Sequence, residues 1–251
     1  MTFRNVKIQR KANLRDKILE FADRYRYFHI KDLRHFLDQQ KVKFSEKNLK
    51  NYLYSLRKEK YLSSAGRAWY SKLKRHLNIE KTPVKKIVKI IKENFPQLQF
   101  SCWSNEQLRN FYHHIPFLFI NFVYVSTEFM EYVKEVLEEN DYTVYLNPKK
   151  QDAEKLSFKS KRIIIIRPYV RIRQKVGHYA SIEKILVDLH IESKKLNLMD
   201  EKEYERIVVN IMENYLLNIA IMLDYADERN VKSEIFTKLG RNKIVPMRNF
   251  E

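Results

Sequence analysis

The sequence predicts an α+β protein: an N-terminal winged helix-turn-helix followed by an α/β domain with a mixed sheet and a helical C-terminal part. Three observations predict it. Amphipathic helical stripes in the first sixty residues lead into a short β-hairpin pattern. From Pro83 onward, helical and strand patterns alternate before giving way to helices alone. The charge is split between the two parts. The 251 residues carry a formal net charge of +18. Residues 1–90 hold 25 Lys and Arg against 8 Asp and Glu, a net +17, while residues 91–251 hold 24 against 23. The expected domains are therefore 1–80, basic and DNA-binding, and 81–251, nearly neutral. Positive charge concentrated in this way repels itself and attracts polyanions, and a basic folded domain points to nucleic acid.

Within the first domain, Asn13 is placed to cap a helix whose apolar stripe is Leu14, Ile18, Phe21 and Tyr25. An extended piece, Tyr27 to Ile30, precedes a second helix over Lys31 to Gln39 that buries Leu33, Phe36 and Leu37. Ser45 is a good N-cap for a third helix, SEKNLKNYLYSLRKEK, with Leu49, Tyr52, Leu53 and Leu56 inward. Its other faces show Lys47, Asn48, Lys50, Asn51, Tyr54, Arg57 and Lys58, long donors and amides that reach phosphates and base edges. Residues 61–70 read as two short strands about Gly66, where a turn wants positive φ. The hairpin would present Arg67 beside the third helix, as a wing does. Met1 to Ala12 holds Arg4, Lys7, Arg10 and Lys11 and no acid, which suits a minor-groove arm or a solvated tail.

In the second domain, Pro83 sits at the start of a helix carrying Val84, Ile87, Val88 and Ile91. Gln97 to Trp103 is expected as a strand. Ser104 and Gln107 form a capping box opening a helix to about Tyr112. Phe117 to Val125 reads as a buried strand, Thr127 to Asn140 as a helix, and Thr143 to Leu146 and Arg162 to Arg167 as further strands. Helices follow over 181–191, 200–217 and 218–229, the second opened by Asp200 and Glu203. Residues 155–175 contain Lys155, Lys159, Lys161, Arg162, Arg167, Arg171, Arg173 and Lys175 and no acid. Lys161, Arg162, Arg167, Arg171 and Arg173 would make a second basic patch, or else the solvated side of a sheet with Arg162 and Arg167 as gatekeepers of Ile163 to Ile166.

The segment Ser181-Ile182-Glu183-Lys184-Ile185-Leu186-Val187-Asp188-Leu189 resembles the S-x-E-K-x-L-V-D segment of the AbiE-type antitoxins. These are predicted transcriptional regulators of abortive-infection (type IV) toxin–antitoxin systems. Leu223-Asp224-Tyr225-Ala226 resembles their later L-x-x-Y-A segment, with one residue fewer between Leu223 and Tyr225. Trp103-Ser104, then Phe117 to Val125, then Val144-Tyr145-Leu146-Asn147-Pro148 follow the order of their central domain. The resemblance spans most of the chain. It implies a protein that binds operator DNA through its winged helix, represses its own operon and opposes a cognate nucleotidyltransferase-like toxin. The competing expectation is a stand-alone winged-helix transcription factor whose second domain senses a ligand or dimerises.

Enzyme chemistry finds little footing. Three glycines cannot build a phosphate loop. The adjacent pair His113-His114 points to opposite sides of any regular element. Glu192-Ser193-Lys194 fits an E-x-K nuclease triplet but falls at a helix end rather than on a core strand. Asp188 lacks the second carboxylate of a two-metal nucleotidyltransferase. The expectation is no catalytic residue, no metal and no cofactor. Cys102, the single cysteine, excludes a disulfide within the chain. The start Met1-Thr2-Phe3-Arg4 has no apolar run behind it, and Phe117 to Val125 is too short to span a bilayer. A cytoplasmic protein without membrane contact is expected.

Overall fold

Asn13 opens helix α1 (Leu14–Ala22) by accepting a hydrogen bond from the Arg15 amide on its side-chain oxygen. The computed structural model describes residues 13–116, 118–155, 162–169, 175–231, 236 and 244–246. Strand β1 (Tyr25–His29) follows, then α2 (Ile30–Gln39), α3 (Glu46–Lys58), β2 (Ser63–Ser64) and β3 (Trp69–Ser71). The chain divides between Lys74 and Arg75 into two compact units, and strand β10 (Ile244–Pro246) belongs with the first. The sequence pattern places the boundary six residues later. It holds no cue that a C-terminal strand returns to the basic unit.

In that first unit the sheet runs β10-β1-β3-β2, all antiparallel. Phe28 pairs with Tyr70 and their rings stack at 5.7 Å. Ile18, Phe21, Phe28, Leu33, Phe36, Leu37, Leu49, Leu53, Leu56 and Leu62 form one core between the three helices and the sheet. Tyr25 is the exception to the expected stripe. It has left the helix for β1, yet its ring still lies 4.9 Å from that of Phe21.

The second unit contains α4 (Thr82–Asn94), β4 (Phe100–Ser104), β5 (Ile120–Val125), α5 (Met130–Glu138), β6 (Thr143–Leu146) and β7 (Ile163–Pro168). The short strands β8 (Lys175–Val176) and β9 (Tyr179–Ala180) lead into α6 (Ile182–Leu196), α7 (Glu201–Asn214) and α8 (Ile219–Glu228). The sheet is mixed, in the order β6-β7-β5-β4-β9-β8. Pairs β6/β7, β5/β7 and β4/β9 are parallel, and β4/β5 and β8/β9 antiparallel. Ile163 to Ile166 and Phe122 to Val125 are fully buried, as a strand covered on both faces requires. One face carries Val123, Val125, Ile164 and Ile166 against α4 and α5. By the alternation of a strand, Phe122, Tyr124, Ile163, Ile165 and Arg167 point the other way.

Three expected elements change. The run beginning at Phe117 pairs as a strand only from Ile120, and Phe117 itself lies outside the described residues. The capping box is present, with Ser104 Oγ accepting from the Glu106 amide and the Ser104 amide donating to Gln107, but it opens a 3₁₀ turn, Asn105–Phe111. The stretch after Ser126 starts as another 3₁₀ turn and becomes α-helical at Met130. Among the described residues, no helix is long and apolar enough to cross a membrane.

Candidate nucleic-acid interface

Ser45 Oγ accepts the amide hydrogen of Asn48 at 3.2 Å and so fixes the start of α3. Leu49, Leu53 and Leu56 turn inward. Lys47, Asn48, Lys50, Asn51, Tyr54, Arg57 and Lys58 are all exposed. At about 100° per residue they spread over about half the helix circumference, opposite the leucines. Tyr54 is 67% exposed, which leaves a large ring standing in solvent among amides and ammonium groups.

The acids of α3 do not dilute this face. Glu46 binds Arg34 of α2 at 2.6 Å. Glu59, just past the last turn, takes both guanidinium nitrogens of Arg15 from α1 at 3.0 and 2.6 Å and the Ser55 hydroxyl at 2.8 Å. The Arg15 and Ser55 hydrogen bonds hold the Glu59 carboxyl down at about 2. Each carboxylate thus ties α3 to a neighbouring helix. Among the described residues, no ion pair engages Lys47, Lys50, Arg57 or Lys58.

At the hairpin, Gly66 adopts φ +105°, a conformation costly for any side chain. The Ala65 amide donates to Trp69 O, and β3 carries the hairpin onto β1. Trp69 is buried edge-on to His29, and Arg67 at the tip is exposed.

The second basic patch needs correction at Arg167. Its side chain is buried, with Nε and Nη2 on the Glu192 carboxylate at 2.5–3.2 Å and Nη1 donating to Asn147 and Pro148 O. It continues the inward parity of Ile163 and Ile165 rather than guarding the strand end. Arg162 is exposed over the Tyr142 ring. Lys161, Arg171, Arg173, Lys159 and the arm residues Arg4, Lys7, Arg10 and Lys11 lie outside the described residues.

Arg167 belongs to a buried polar network on α6. Lys184 Nζ donates to Asp188 and to the Tyr225 hydroxyl, both at 2.6 Å. Tyr225 donates to Asp188 Oδ1 at 2.8 Å, and Arg229 reaches the same oxygen at 2.9 Å. The Tyr124 hydroxyl donates to Glu192 Oε1 at 3.3 Å, and its ring lies 4.0 Å from the Lys184 ammonium. Burial pushes Lys184 below its ordinary value, with Asp188 opposing, and pushes Tyr124 and Tyr225 up. Both carboxylates are neutralised by cations and closed to solvent.

A family model described as a family of unknown function, DUF6577, matches residues 48–244. The chain belongs to this family. No curated protein matches it. The DUF6577 match starts inside α3, takes in the hairpin and the whole second unit, and ends at the first residue of β10. In the sequence, Lys184 and Tyr225 stand out only as letters of two short motifs, and Asp188 as a carboxylate without a second one beside it. In this DUF6577 chain they are one hydrogen-bonded cluster. The signal that could have found it is spacing: Lys184, Asp188 and Glu192 recur at i, i+4 and i+8 on a helix otherwise apolar on nearly every side, and such a stripe must be paired to be buried.

Proposed function

We propose that this protein is a DNA-binding transcriptional repressor. Helices α1 to α3 with the β2–β3 hairpin act as a winged helix-turn-helix, α3 entering the major groove and Arg67 contacting the backbone from the wing. One observation carries the proposal: a solvent-facing half-helix of lysines, arginine, two asparagines and a tyrosine whose neighbouring acids are already engaged elsewhere. Cations without internal partners are free for phosphates, and exposed asparagines offer bidentate pairing to adenine. The net +17 of residues 1–90 supplies the long-range attraction. No catalytic step is assigned to the second unit, because Asp188 and Glu192 are spent on internal cations. Its role as antitoxin against a nucleotidyltransferase-like toxin rests on the AbiE resemblance alone, and a toxin-like reading frame next to this one would support it.

The test is a binding titration of the full chain on labelled duplex DNA at several salt concentrations. Affinity should fall steeply with salt, because counterions released into a more concentrated solution gain less entropy. A Lys47→Ala, Lys50→Ala, Arg57→Ala, Lys58→Ala chain should bind weakly, its log–log salt slope flattened by about 0.9 for each phosphate it no longer neutralises. A variant with wild-type affinity and slope would remove α3 as the interface.

A further inference from the structure

In the second unit a cavity of about 590 Å³ opens beside the C-terminal half of α6 and the start of α7. This lies within the range of small-ligand sites, about 300–1,000 Å³. Its lining includes Lys150, Ser193, Lys194 and Lys195, with the carboxylates of Asp200 and Glu201 at the α7 end. Those two carboxylates are already engaged. Asp200 accepts the Glu203 amide at 2.7 Å as the helix cap, and Glu201 pairs with Lys194 at 3.4 Å. Lys150 and Lys195 have no ion-pair partner among the described residues. Ser193 Oγ is buried, with the residue 7% exposed, and has no hydrogen-bond partner among the described residues. An orphaned hydroxyl of this kind is destabilising unless something satisfies it.

The network behind the cavity adds to the imbalance. Arg167, Lys184 and Arg229 share the two carboxylates Asp188 and Glu192, and Lys195 stands half-buried beside them, with no carboxylate of its own among the described residues. Burial and the nearby Arg167 and Arg229 accordingly push the Lys195 ammonium below its ordinary value. A group with negative charge and several acceptor oxygens would satisfy Ser193 Oγ and the Lys195 and Lys150 ammonium groups together.

We propose that this cavity is a binding site for a phosphate-bearing small molecule, held by Lys195, Lys150 and Ser193. The phosphate accepts the Ser193 hydroxyl proton in a hydrogen bond and neutralises the cation that the buried network leaves over. Inorganic phosphate and a mononucleotide share this chemistry, and the cavity volume admits either.

The test is isothermal titration of the full chain with sodium phosphate and, separately, with AMP, against sodium chloride at matched ionic strength. The proteins are wild type, Lys195→Met, Ser193→Ala, and the Lys47→Ala, Lys50→Ala, Arg57→Ala, Lys58→Ala chain that removes the phosphate-contacting cations of α3. Saturable binding is expected in the wild type and in the α3 variant. Loss of one charge-assisted hydrogen bond in Lys195→Met or Ser193→Ala should weaken it about tenfold. Tighter binding of AMP than of phosphate identifies a nucleotide as the source, and equal binding identifies free phosphate. Should Lys195→Met fail to give a folded circular-dichroism spectrum, Ser193→Ala, which deletes one oxygen, carries the test. Absence of saturable binding for both ligands, or undiminished binding in the folded cavity variants, overturns the proposal.

Discussion

Glu192 and Asn51 are polar residues on helices, and their surroundings set them opposite tasks. Glu192 is fully buried, with both oxygens on Arg167 and one also accepting from Tyr124. Removing it strands a buried guanidinium, and breaking such a pair costs about 3–5 kcal/mol. Glu192→Ala should therefore shift the urea midpoint of the second unit sharply downward, while DNA affinity at a temperature where the protein stays folded is unchanged. An unmoved midpoint would mean that Arg167 finds another partner. Asn51 stands in solvent on the α3 face and stabilises nothing inside the protein. Asn51→Ala should leave the melting curve alone or raise it slightly, alanine being the better helix former. On a duplex that the protein itself selects from a random pool, it should cost about 1–3 kcal/mol, and little on scrambled DNA. Equal weakening on both duplexes would assign Asn51 to the backbone rather than to a base.

Helix starts are the most legible elements, because a cap is a local, short-range device. Asn13, Ser45 and Asp200 each accept the amide that their position predicts, and Ser181 caps α6 in the same way. Ser45→Ala should accordingly cost about 1 kcal/mol in the unfolding free energy of the first unit and fray the first turn of α3. A stability unchanged to within about 0.3 kcal/mol would show that Glu46–Arg34 alone holds that end. Pairing over long separations is not legible. No local pattern tells that β10 returns from the C-terminus to pair with β1, or that Tyr25 ends as a strand residue. The misplacement of Arg167 has a sharper cause. A charged residue after four isoleucines reads as an end marker, although the two-residue period already puts it on the same face as Ile163 and Ile165. Pairing with Glu192, twenty-five residues on, decides its place. The exposed face of α3 is readable because exposure there follows from helical period alone; the cavity beside α6 brings Lys150 against residues 190–204 and is not.

Across the molecule, the sequence separates surface charge from buried titrating groups, and the second kind governs behaviour in alkali. Burial raises Tyr124, Tyr204, Tyr225 and Tyr112, and raises the Cys102 thiol. All belong to the second unit. In the unfolded chain tyrosine ionises near pH 10 and cysteine somewhat below it, so above about pH 9 the unfolded state sheds protons that the folded state keeps. The unfolded state then binds fewer protons, and stability falls as pH rises, by about 1.4 kcal/mol per pH unit for each such group once its unfolded value is passed. Lys184 and Lys195 act in the other direction. Their folded values are lowered, so their contributions grow with pH until the unfolded lysines have also lost their protons. Two opposing groups cannot balance five. A second opposing effect, relief of the +18 net charge as surface lysines deprotonate, is screened by working at high salt. The measurement is a urea titration at several pH values from 8 to about 11, followed by fluorescence in a Trp69→Phe chain, in which Trp103 reports the second unit alone. The midpoint should be flat below about pH 9 and fall progressively above it. A midpoint constant or rising to pH 11 would mean that these tyrosines ionise as readily in the folded unit as in the unfolded chain, and that the network around Asp188 and Glu192 is open to water.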